Sequence, residues 1–247
     1  MKYIHFFGCS YTAGDELTDD IYFPWKVGCK TTAEYYQKRV EHIRFHPEFD
    51  YIKYQEENKK KAYPAILGGI NHASNGASLK ENILRIVQLI NSDTPIDAIY
   101  LQIPPYLREL YITEDNEISS LILNSVEVTV ARSYIEAKIS THDKINFIVN
   151  DVLELISFYS FLKRKNINFG IISFGIEMDR RRLALAGSPF EFLISELDRV
   201  EVIDFKNYLN DNSKSSRTLG YHFTQETHNH FAQEIKQHLD NTFSISI

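Results

Sequence analysis

A serine framed by glycines, Gly8-Cys9-Ser10-Tyr11-Thr12-Ala13-Gly14, follows directly on the apolar run Tyr3 to Phe7. A buried strand that stops at a small residue and presents a hydroxyl puts it at the carboxyl edge of a sheet, where open α/β proteins bind ligands. Loop and helix amides gather at the same edge, so an oxyanion formed beside Ser10 would find donors. The plain alternative is a strand-to-helix turn with Ser10 as its N-cap. Far downstream, His222 lies in Gly220-Tyr221-His222-Phe223-Thr224, just ahead of a closing helical pattern. A histidine titrates near neutrality, so it can take a serine proton and return it to a leaving group. His228 and His230 follow, but residues two apart on a helix point about 200° from each other. No metal is assigned to them.

Between these two ends lie the elements that would have to position them. Tyr63 to Leu67 reads as a short helix, Gly68-Gly69 as its stop and Ile70-Asn71 as a brief strand. The loop Asn71-His72-Ala73-Ser74-Asn75-Gly76-Ala77-Ser78 then opens an amphipathic helix with Leu79, Ile83, Ile86, Val87 and Ile90 on one face. A glycine in such a loop lets the backbone approach a ligand and offer its amide, which makes Gly76 a candidate. Asp97 to Ile103 is predicted as a buried strand, ended by Pro104-Pro105. Gln102, at its end, either supplies an amide donor to the site or is a core-edge glutamine bonded to backbone. Arg108, just past the prolines, is a candidate for an anionic substrate. A long helix over 144–165, a strand over Phe169–Phe174 and a short strand over Val200–Phe205 complete the pattern. Alternating strands and helices predict a three-layer α/β/α sandwich with a mostly parallel central sheet.

In this order the blocks resemble the SGNH/GDSL hydrolase superfamily, a flavodoxin-like fold. The first block is the Gly-x-Ser-x-Thr-x-Gly frame at Gly8–Gly14, with Cys9 where the family often has aspartate. Asn71, Ala73, Gly76, Ala77 and Ser78 match the second block, and His222, His228 and Ala232 match the last. The resemblance implies acyl-ester hydrolysis, for instance of O-acetyl groups on carbohydrate, with no cofactor. It makes Ser10 the nucleophile and His222 the base, with Gly76 and Gln102 on the oxyanion. Two departures stand out. The third-block asparagine is absent, Gln102-Ile103-Pro104-Pro105 standing there instead. The usual aspartate before the histidine is absent too, since positions 219 and 220 are leucine and glycine. Either a backbone carbonyl orients the ring in a Ser-His dyad or an acid comes from elsewhere, Asp204 being one candidate. A degenerate relative that binds without turnover is the alternative.

The 247 residues fit one sizeable domain, and 15 tyrosines with 16 phenylalanines supply a core. A formal charge of −6 argues against a general nucleic-acid binder. Two cysteines without metal spacing exclude a disulfide framework. No apolar run is expected to reach membrane-span length, and the N-terminal apolar stretch is too short for a secretory signal, so the expected compartment is the cytoplasm. Residues 18–62, charged and aromatic together, are expected to be a helical insertion, read either as solvated helices or as a lid.

Overall fold

The computed structural model describes residues 2–104, 108–112, 118–122, 144–213, 215–218 and 222–247, with backbone alone for the two middle stretches and for residues 144 and 176. Its centre is a parallel sheet of five strands: β1 (Ile4–Phe7), β2 (Ile70–Asn71), β3 (Ala98–Gln102), β6 (Phe169–Ser173) and β7 (Val202–Asp204). Their order is β2-β1-β3-β6-β7, with every pairing parallel. Two further strands, β4 (Arg108–Ile112) and β5 (Ile118–Ile122), pair antiparallel as a separate hairpin. With that hairpin set aside, the order is the doubly wound 2-1-3-4-5 arrangement. The chain leaves β1 toward one edge and crosses to β3 on the other side, which opens a crevice at the carboxyl ends of β1 and β3.

The strands read as continuous apolar runs because both faces are covered. Alternate residues divide between two cores. Ile4, Phe6, Ala98 and Tyr100 face one core, closed by Tyr63, Phe231 and Ile235. Phe7, Ile99, Leu101 and Ile171 face the other, against Leu79 and Ile86 of helix α6 (Leu79–Ile90) and a long helix, α7 (Lys144–Arg164). The predicted three-layer sandwich is therefore the observed one.

One expectation is corrected here. Among the described residues, Ile145–Arg164 is long and apolar enough to cross a membrane by length and composition. Its Ile148, Val152, Leu155 and Leu162 are instead packed in the core of the sandwich.

Residues 18–62 do form helices: α2 (Asp19–Tyr22), a 3-10 turn over Pro24–Gly28, α3 (Thr32–Phe45) and α4 (Tyr51–Lys61). Thr31 caps α3 through the Glu34 amide, and Asp50 caps α4 through the Lys53 amide. They are not simply solvated, because Tyr35, Arg39, Tyr54 and Asn58 are buried.

Candidate active site

Ser10 begins a one-turn helix, α1 (Ser10–Ala13), directly at the carboxyl end of β1. Gly14 ends it at φ 75°, a left-handed turn that suits glycine, where a Cβ would stand 2.7 Å from that of Ala62. Two residues on, Glu16 takes φ 73° with a full side chain. Non-glycine residues pay a steric cost in that region, so the chain holds Glu16 there against its own preference.

His222 reaches this turn from the loop ahead of the last long helix, α11 (Gln225–His238), which Thr224 caps through the Thr227 amide. Its Nδ1 lies 2.8 Å from Glu16 Oε1 and its Nε2 lies 2.9 Å from Ser10 Oγ. A carboxylate only accepts, so the ring proton belongs on Nδ1 and the Nε2 lone pair faces the serine hydroxyl. Thr218 Oγ1 donates to the second oxygen of Glu16 and accepts from the His222 amide at 3.1 Å. Burial pushes the imidazole pKa down, but the Glu16 hydrogen bond and the charges of Asp15 and Glu16 outweigh it. The net shift is above the ordinary histidine value.

Both carboxylates after the serine turn are buried, Asp15 at 5% and Glu16 at 3% exposure. Buried acids need partners. Helix α3 brings one: Arg39 Nη2 donates to Asp15 Oδ1 at 2.7 Å, and Nη1 stands 3.8 Å from Glu16 Oε1. Tyr54 Oη accepts from the same Nη2 at 2.7 Å, and lies 2.8 Å from Asp19 Oδ1 and 3.1 Å from Asp15 Oδ1. Tyr35 Oη donates to the other oxygen of Asp19. Burial raises the Asp15 carboxyl, but Arg39 and His222 pull harder and hold it below the usual range. At Asp19 burial wins over Arg39 and the two tyrosines, and its pKa is pushed up to about 6. Asp15, Glu16 and His222 also place one ligand atom each within 4.8 Å of one another. This is donor geometry a cation could use, but Arg39 already sits against it.

The second-block loop is stitched to the serine turn. Asn71 Nδ2 donates to Thr12 O at 3.0 Å and the Ser74 amide to Gly8 O at 3.4 Å. Gly76 follows at φ 83°, in the loop between β2 and α6.

Two expectations change, and a third, Arg108, is not tested. Gln102 is fully buried, and its Oε1 accepts from both the Cys9 amide and Cys9 Sγ at 3.1 Å, while its Nε2 donates to Ile103 O. It is the backbone-bonded glutamine of the two alternatives, with its NH2 group turned away from any oxyanion. Asp204 is exposed at the end of β7 and accepts from the Lys206 amide at 2.9 Å. Local backbone takes its lone pair, and the carboxylate against His222 is that of Glu16. Arg108 opens β4, and its side chain, like positions 219 and 220, lies outside the described residues.

Sequence reasoning missed Glu16, Asp15 and Arg39. The available signal was the consecutive Asp15-Glu16 immediately behind the serine frame. Two acids beside a turn that buries its neighbours demand a cation from elsewhere in the chain.

No protein-family model and no curated protein sequence matches the chain. Solved structures similar to it include a psychrotrophic esterase from Pseudoalteromonas sp., at 8% identity and TM-score 0.47, covering 99% of this chain and 100% of that one. A member of the lipolytic G-D-S-L family from Veillonella parvula is 12% identical at TM-score 0.44, with 99% of each chain covered. An acetyl xylan esterase from the rumen bacterium Butyrivibrio proteoclasticus is 11% identical at TM-score 0.42, covering 98% of this chain and 64% of that one.

Proposed function

We propose that this chain is a divergent SGNH-type serine hydrolase that cleaves acyl esters, O-acetyl groups on carbohydrate among them. The observation that carries the reading is the continuous line Ser10 Oγ, His222 Nε2, His222 Nδ1, Glu16 Oε1, with contacts of 2.9 and 2.8 Å at its two ends. Ser10 attacks the ester carbonyl as His222 takes its proton, and His222 then protonates the departing alcohol. Water attacks the acyl-Ser10 ester in the second half, with His222 again as base. Glu16 fixes the tautomer and meets the imidazolium that forms in each half, the part the third member plays in a serine triad.

The tetrahedral oxyanion is assigned to backbone donors. The Ser10 N–H heads α1, where helix geometry provides no acceptor within the helix, and Gly76 is the second donor. With Gln102 turned inward, no side-chain amide from β3 joins them. One lost donor costs roughly 10²–10³ in kcat in a hydrolase that uses it, so turnover slower than in a fully equipped relative is expected.

Intact-mass labelling with a fluorophosphonate tests the reading without a known substrate. A single adduct on the wild type that vanishes in Ser10→Ala is expected. Folded wild type that takes no adduct would overturn it and leave an ester-binding protein without turnover as the better reading.

A further inference from the structure

We propose that Arg39, carried in by insertion helix α3, is a positioning residue for the Ser10–His222 pair: it occupies Asp15 and so keeps His222 Nε2 available to the serine. The proposal rests on the hydrolase reading above and gives the 18–62 insertion a part in the chemistry.

The geometry sets up a competition at one nitrogen. Ser10 Oγ stands 2.9 Å from His222 Nε2, and Asp15 Oδ2 stands 3.7 Å from the same atom. Nε2 has one lone pair or, once protonated, one proton. If Asp15 is drawn onto a protonated Nε2, the ring is locked as an imidazolium and Ser10 has no base. What holds Asp15 off is on its other oxygen, Oδ1, where Arg39 Nη2 donates at 2.7 Å beside Tyr54 Oη at 3.1 Å. Arg39 and Asp15 are both buried, so water screens their pairing little.

The groups around His222 come from several elements. Ser10 and Tyr11 belong to α1, Asp15 and Glu16 to the turn after it, Arg39 to α3, and Thr218 to the histidine's own loop. On α11, His228 is buried and pushed down to about 3, so it is neutral across the working range. Tyr36 of α3 faces the same two acids and is pushed above the ordinary tyrosine value by burial and their charge, so it stays neutral as well. Arg217, on the histidine's own loop, lies over the Tyr11 and Phe223 rings, while Arg39 is the cation that lowers the His222 titration against Asp15 and Glu16. Taking it away leaves Asp15 and His222 to share one more proton at neutral pH, titrating as a pair.

Ring-proton NMR titration of His222 and the pH dependence of fluorophosphonate labelling are the two readouts. In Arg39→Met both should move upward by about one pH unit, which slows labelling well below the titration midpoint by up to about tenfold. Adding Asp15→Asn to Arg39→Met should return both toward the wild-type values, because the competitor has gone, and Arg39→Lys should fall between. Asp15→Asn alone should move the His222 titration below wild type, and it carries the test if Arg39→Met does not fold. A His222 titration unmoved in folded Arg39→Met and in Asp15→Asn would overturn the proposal. So would a shift that the double variant leaves in place. If wild type takes no phosphonate, the hydrolase reading fails by itself, while the titrations still decide whether Arg39 controls His222.

Discussion

Two arginines are buried among the described residues, and they are partnered differently. Arg181, on the helix following β6, is fully buried, and each of its donor groups has its own acceptor. Nε meets Asp151 Oδ2 at 2.6 Å, Nη1 meets Glu177 O at 3.0 Å and Nη2 meets Pro104 O at 3.2 Å. Asp151 is the one carboxylate hydrogen-bonded to the guanidinium, the remaining bonds go to neutral backbone, and the buried Glu177 carboxyl is also pulled down by its charge. Arg39 spreads one Nη2 over Asp15 and Tyr54, leaves Nε without a hydrogen-bond partner among the described residues, and faces three carboxylates, Asp15, Glu16 and Asp19. The first arrangement is closed. The second has surplus negative charge, and His222 is the group placed to meet it when it takes a proton. The difference separates a tie that joins elements from a cluster whose charge changes with a proton transfer.

The sharpest way to break the second cluster is to neutralise the acid that His222 donates to. Glu16→Gln keeps the size of the side chain but can present its NH2 group to Nδ1, which favours the wrong tautomer. A loss of about 10⁴ in kcat is expected, the order seen when the acid of a serine triad becomes an amide. Thermal unfolding should show that the variant still folds. Steady-state hydrolysis of a p-nitrophenyl acyl ester would measure the loss, and an unchanged kcat would assign Glu16 to structure alone.

Arg181→Met tests the closed pair and should give the opposite signature. It strands Asp151 in the core, where burial already pushes that carboxyl above its ordinary value despite Arg181. Breaking a buried pair by removing one partner costs about 3–5 kcal/mol, to be read from urea denaturation. The pH profile of labelling per folded molecule should not move. If it shifts as in Arg39→Met, the two arginines are not functionally distinct and the comparison collapses.

The sheet was legible because its strands are covered on both faces and therefore read as unbroken apolar runs, as in Ile99-Tyr100-Leu101 and Gly170-Ile171-Ile172. That Ser10 and His222 could meet was legible because the glycine frame and the loop before the last helix carry position as well as residue type, and their side chains do lie 2.9 Å apart. The carboxylate beside His222 was not legible. It lies 206 positions from His222 in the chain and is aimed by a left-handed backbone at Glu16, which residue type does not announce. Arg39 was hidden for another reason. The stretch around it nearly balances lysine and arginine against acids and so looked solvated, while Tyr35 and Tyr54 on either side bury it.

The smallest effect belongs to the acid that sequence reasoning favoured. Asp204 stands at the same carboxyl edge of the sheet as Ser10, yet it is exposed and its Oδ1 is taken by the Lys206 amide two residues on. A carboxylate in water that serves its own turn has, among the described residues, no guanidinium to share and no imidazole to hold. Asp204→Ala should therefore cost at most about 1 kcal/mol of stability, the net worth of one hydrogen bond. It should also leave kcat and the acid limb of the pH profile where they are. Measured beside Glu16→Gln in the same assay, it asks which carboxylate the histidine uses. A large loss of kcat in Asp204→Ala would mean that His222 leaves Glu16 during turnover, and the buried cluster would then be scaffolding.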